Sequence, residues 1–200
     1  MGQTKSNENE VALFFAVDDA SLERLKNWPG EYLQITQSET NAMTQNNSRI
    51  TVRVRRTETH PNGETVYEAA TKYRLPYDPK TLTSKCIELE KVITEEEYAL
   101  ALPFGERLYQ KRRFIFPLTD TVDAELDWYF DKTTKDFGRF CKLDINTPPE
   151  GFSPEQITAL LKLLPNKGIV ITDLINPPWK QSGKIKARIG ALMETQWNLL

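Results

Sequence analysis

The sequence predicts an α+β protein: a closed antiparallel β-barrel (a tunnel) of about eight strands, with flanking helices and a helical C-terminal appendage. Three observations predict it. Short segments that alternate or run apolar recur between turn-forming residues, as antiparallel strands do. Six consecutive strands carry paired charges on one face and mostly apolar residues on the other. After Pro148 the pattern changes to capped, amphipathic stretches. The expected organisation is residues 8–146 as the barrel and residues 147–200 as a helical extension packed on it.

The elements follow in order. Residues 10–17 (EVALFFAV) form a short apolar strand. Residues 18–27 read as a helix, with Asp18 or Asp19 as cap and Leu22, Leu25 and Trp28 on one side. Pro29 and Gly30 end it. Residues 31–37 (EYLQITQ) make the second strand, and the polar stretch SETNAMTQNNS a loop. Residues 49–57 (RITVRVRRT) alternate strictly as the third strand, and Asn62-Gly63 turns the chain into the fourth, residues 64–74. A proline-bearing connector, LPYDPKTLT, leads to a fifth strand at 85–91. Thr94 and the three glutamates after it start a second helix that stops near Pro103 and Gly105. Residues 107–116, 123–130 and 138–146 are the last three strands. In the tail, Ser153, Pro154 and Gln156 cap a helix, GIVITDLI is a short apolar run, and KIKARIGALMETQW is a final helix with Ile185, Ile189, Leu192 and Met193 on one stripe.

Composition removes several classes. No apolar run approaches the roughly 20 residues that span a bilayer, and MGQTKSNENE lacks the apolar core of a secretory signal, so a cytoplasmic protein with no membrane partner is expected. Cys86 and Cys141 are not in a CxxC pair and read as reduced thiols. His60 is the only histidine and lies in a turn, which removes a histidine-rich metal site. A net charge of −2 argues against duplex DNA as partner, but it does not say which way the charges point.

Their direction is the informative feature. Residues i and i+2 share a strand face. Arg53 and Arg55 share one, as do Lys72 and Arg74, Glu88 and Glu90, Lys111 and Arg113, Glu125 and Asp127, and Lys142 and Asp144. One reading is a solvated face of a half-exposed sheet. The other is an interior lined by bases on some strands and acids on others. A solvated face usually mixes in Thr, Ser and Gln, whereas here the charges come as pairs. In the interior reading the bases neutralise phosphate oxygens, and the carboxylates hold a divalent cation that bridges them.

The order of these strands resembles the CYTH family of triphosphate tunnel metalloenzymes, over roughly residues 8–146. RITVRVRR resembles the family's R-x-R strand (Arg53, Arg55) and EAATKYR its T-x-K strand (Lys72). KCIELEK resembles its E-x-E strand (Glu88, Glu90), YQKRRFIF its K-x-R strand (Lys111, Arg113) and AELDWYF its E-x-D strand (Glu125, Asp127). The resemblance implies a metal-dependent phosphohydrolase acting on a tripolyphosphate or nucleoside triphosphate. Arg53, Arg55, Lys72, Lys111 and Arg113 would bind phosphates, and Glu10, Glu88, Glu90, Asp127 and Asp144 would hold Mg²⁺ or Mn²⁺. The alternative on the same fold is a non-catalytic binder of a nucleotide, a polyphosphate or an RNA 5′ end. Two departures fall on the metal half: no Lys completes E-x-E-x-K near Glu8 and Glu10, and the last strand reads Lys142-Leu143-Asp144 where the family carries E-x-E.

Overall fold

A computed structural model describes residues 4–44, 48–76, 84–148, 150–176 and 189. Strict alternation in RITVRVRR gives β3 (Arg49–His60), which pairs antiparallel with β2 (Tyr32–Met43) on one side and β4 (Thr65–Arg74) on the other. Gly63 makes the β3–β4 turn at φ 75°, the left-handed conformation that an Asn-Gly hairpin needs. The other strands are β1 (Thr4–Val17), β5 (Ser84–Val92), β6 (Arg107–Pro117), β7 (Asp123–Asp131), β8 (Asp136–Asn146) and β9 (Ile171–Leu174).

Three short helices carry the capping chemistry expected of them. Asp18 accepts a hydrogen bond from Ser21 N at 2.8 Å and starts α1 (Asp19–Lys26). Capping boxes, Thr94 with Glu97 and Ser153 with Gln156, start α2 (Glu95–Ala101) and α3 (Pro154–Leu161).

The main core lies on the apolar face of β1, β6, β7 and β8. Leu13, Phe15, Phe114, Leu126, Trp128, Leu143 and Ile145 are buried there against Leu25 of α1 and Ile157 and Leu160 of α3. Side chains of this size each stabilise by about 1.5–3 kcal/mol when fully buried. The same face of β3 and β5 is barer: Val52, Ile87 and Leu89 are exposed.

The structure corrects the expected fold class. It is a nine-stranded antiparallel sheet in the order β5-β4-β3-β2-β6-β7-β8-β1-β9, and not an eight-stranded closed barrel with a helical appendage. Here β1 is shared end to end: residues 4–10 pair with β5, residues 10–16 with β8, and only Glu10 is paired with both of them. Beyond that point a ninth strand, β9, takes the edge that β5 leaves. The apolar run GIVITDLI supplies β9, so the tail is not wholly helical. The first part of the expected loop, residues 38–43, is strand, because β2 runs on to Met43 against β3. The expected final helix, KIKARIGALMETQW, lies outside the described residues except for Ile189.

Candidate functional site

Directly opposite residues in a ladder share a face, so the registers fix where each charge points. Lys72 faces Glu88, Arg113 faces Asp127, Asp127 faces Lys142 on its other side, and Glu125 faces Asp144. All ten residues singled out as phosphate or metal ligands therefore lie on one face: Glu10, Arg53, Arg55, Lys72, Glu88, Glu90, Lys111, Arg113, Asp127 and Asp144. That face is concave. Arg53 of β3 bonds Glu88 of β5, and Arg74 of β4 reaches Glu10 of β1 at 2.9 Å, each across an intervening strand.

The two half-sites expected from sequence, one basic and one acidic, are not separate. Nearly every carboxylate holds a base. Glu88 accepts from Arg53 and, at 2.9 Å, from Lys72. Arg55 donates to Glu68 at 2.6 Å and to Glu90 at 2.9 Å. Asp127, fully buried, accepts from Lys111 at 2.6 Å and from Arg113 at 2.7 and 2.9 Å. The same guanidinium also bonds Glu125. Lys142 bonds Asp144. Interleaving is what burial demands, since an isolated buried charge costs several kcal/mol.

The proton affinities follow from the pairing. Burial would raise Glu10, but the charges of Lys142, Arg74 and Lys72 hold it at about 2. Burial opposes ionisation of Glu88 and Asp127 as well, and Arg53 with Lys72, and Arg113 with Lys111, outweigh it, so both carboxyls are lowered. Lys111 is pushed down to about 7 by burial and by the neighbouring Arg113. Asp144 is the exception: burial raises it despite Lys142.

Two donors on this face lack an acceptor. Arg53 Nε and Thr57 Oγ1 are buried with no hydrogen-bond partner. A buried donor left unmade costs about 1–3 kcal/mol, so the pair marks a place where an acceptor-rich ligand would be stabilised. One end of the face is floored by aromatic rings. Tyr109, Tyr129, Phe140 and Ile175 cluster there with Phe14 and Ile189. Ile175 N donates to Phe14 O at 2.8 Å, and Asn176 bridges Phe14 N and Ala12 O, so the chain after β9 is tied along β1.

Sequence reasoning missed several residues of the face. Gln37 donates to Glu39 and to Tyr109, and Tyr109 donates to Glu39 at 3.0 Å. Arg49 stands directly opposite Arg74, so two guanidiniums meet at this end of the face. Gln37, Glu39 and Asn41 alternate, and that spacing was the available signal, hidden by reading residues 38–48 as a loop.

The acids do not fit a divalent cation. No group of three or more His, Cys, Asp or Glu residues that could hold a metal occurs among the described residues. The cause is local: Glu10, Glu88, Glu90, Asp127 and Asp144 each spend oxygens on Lys or Arg, whereas Mg²⁺ requires near-octahedral oxygen ligation.

No protein-family model and no curated protein matches the chain. A solved structure of PH1819 protein from Pyrococcus horikoshii OT3 does, with a TM-score of 0.53 at 17% identity, over 91% of this chain and 99% of that one. This chain has the fold of PH1819. At that identity the likeness to PH1819 concerns fold alone. Two structures of NE1496, one described as an inorganic triphosphatase and one as a hypothetical protein, match at TM-scores of 0.41 and 18% identity. They align with 75% of this chain and with 78% and 81% of theirs.

Proposed function

We propose that the concave charged face binds a phosphate-rich anion, a tripolyphosphate or the triphosphate of a nucleotide, through Arg53, Arg55, Lys72, Lys111 and Arg113. One observation carries this reading: five cations from three strands point at a common concavity in which Arg53 Nε has no acceptor. A guanidinium has five donors in a planar fork, so Arg53 and Arg55 can keep a carboxylate and still bond phosphate oxygens. An RNA 5′ triphosphate offers the same oxygens and would compete for the same face.

Binding asks less of these residues than hydrolysis does. Hydrolysis with Mg²⁺ or Mn²⁺ on Glu10, Glu88, Glu90, Asp127 and Asp144 requires those carboxylates to leave the bases they hold, whereas anion binding uses the bases where they stand. Titration calorimetry with tripolyphosphate and with ATP tests the reading, together with a phosphate-release assay in Mg²⁺ and in Mn²⁺. Saturable one-to-one binding is expected, and no binding of either anion would refute it. Metal-dependent phosphate release on top of binding would make the chain a phosphohydrolase.

A further inference from the structure

Glu10, Asp127 and Asp144 come from three adjacent strands, β1, β7 and β8, and Lys142 rises among them. In the ladder Lys142 stands opposite Asp127 on one side and Phe14 on the other. Its ammonium bonds Asp144, whose side chain is 6% exposed. Its charge acts on all three carboxyls: it is the strongest of the cations that lower Glu10, the strongest acting on Asp144, and a further one on Asp127. Asp144 Oδ1 is buried and has no hydrogen-bond partner, so Lys142 satisfies only one of the two oxygens.

We propose that the Lys142 ammonium is a tethered cation that neutralises the Glu10–Asp127–Asp144 group in place of a divalent metal, so that this protein takes up its anion without one. An ammonium is a compact point charge on a flexible stem, and burial favours a neutralising partner wherever carboxylates converge. A divalent ion entering this group would have to displace a covalently attached, half-buried cation and part it from Asp144, and breaking a partly desolvated pair is costly. The inference rests on the anion-binding reading only for its second clause.

Two measurements test it. In the first, Mn²⁺ is titrated into the wild-type chain and into Lys142→Ala, Lys142→Glu and Lys142→Arg, and bound ion is read from the loss of the free Mn²⁺ paramagnetic resonance signal. The wild type and Lys142→Arg are expected to take up no stoichiometric Mn²⁺, and Lys142→Ala and Lys142→Glu to take up about one ion per chain. One ion bound by the wild type would overturn the proposal, as would folded Lys142→Ala and Lys142→Glu chains that bind none. If those variants do not fold, the wild-type titration still decides. In the second, tripolyphosphate affinity is measured in EDTA and in Mg²⁺. Equal or tighter binding in EDTA is expected, and a tenfold loss in EDTA would contradict it. Failure to bind tripolyphosphate in either buffer removes the anion-binding reading and leaves the Mn²⁺ result to judge Lys142.

Discussion

Arg53 on β3 reaches across β4 to bond Glu88 on β5, and Lys72 on the strand between them holds the other oxygen of that carboxylate at 2.9 Å. Glu88 is thus the resident counter-ion for two of the five cations that face the concavity. A contact between next-but-one strands also requires the sheet to curl toward the charged side, so the same bond shapes the site and neutralises it.

Replacing that counter-ion separates the two roles. Glu88→Gln keeps the shape and removes the charge. Truncating one partner of a buried pair typically costs about 3–5 kcal/mol, and the amide's remaining hydrogen bonds place this variant toward the low end. Its urea midpoint is expected to fall while its affinity for tripolyphosphate rises, because Arg53 and Lys72 are released. Unchanged stability would mean that Glu88 is solvated and not a structural counter-ion.

Acidification has a definite sign. Glu10 is held at about 2 against an ordinary 4.5, and Glu88 and Asp127 are lowered as well. A carboxyl lowered on folding contributes stability that is complete above its unfolded value and is lost as pH falls through its folded value. Urea midpoints are therefore expected to decline between pH 4.5 and pH 2, and Glu10→Gln to flatten part of that decline. Asp144, raised by burial, works in the opposite direction and reduces the slope. A midpoint that stays level to pH 2 would contradict the pairing.

Gly105 joins the turn after α2 to β6 and presses on β2. A Cβ there would meet Ser38 Oγ at 1.8 Å and Glu39 N at 2.9 Å. Ser38 cannot simply turn aside, since its hydroxyl donates to Leu102 O at 2.8 Å. Gly105→Ala is expected to destabilise by about 1–3 kcal/mol, the usual range for overpacking, in a thermal or urea melt. No change would show that β2 and the turn move apart freely.

Trp128 is fully buried on the apolar face, and its indole N–H donates to Gly138 O at 2.6 Å. It packs tilted against Phe137 with ring centroids 4.6 Å apart. Trp128→Ala is expected to cost about 3–5 kcal/mol, enough to unfold a marginal domain. Trp128→Phe keeps most of the packing and loses the hydrogen bond, so it should lie well below that loss.

Alternation made much of the site legible. Arg53 and Arg55, or Lys111 and Arg113, can share a face only if their strands are regular, and they are. The turn at Asn62-Gly63 and the caps at Asp18, Thr94 and Ser153 were readable because each satisfies backbone groups locally. Pairing was not readable in the same way. That Arg53 bonds Glu88 depends on curl and on the β3–β4–β5 register, which no local spacing encodes. The sharing of β1 between β5 and β8, and the addition of β9, are decisions of tertiary packing, so the closed eight-stranded barrel drawn from the strand count did not survive. Glu39 was lost because SETNAMTQ is polar enough to read as a loop, although residues 38–43 are held by β3 on one side and residues 38–39 by β6 on the other.

Arg53 also offers the most direct test of the anion-binding account, because it carries the buried donor without an acceptor. Tripolyphosphate is titrated calorimetrically into the wild type, into Arg53→Gln, and into Lys162→Gln, a control at the end of α3. A hydrogen bond to a charged group is worth about 1.5–3 kcal/mol, and about 1.4 kcal/mol is a tenfold change. Binding to Arg53→Gln is therefore predicted to weaken tenfold or more, with Lys162→Gln unchanged. A folded Arg53→Gln chain that binds tripolyphosphate as tightly as the wild type would contradict the account.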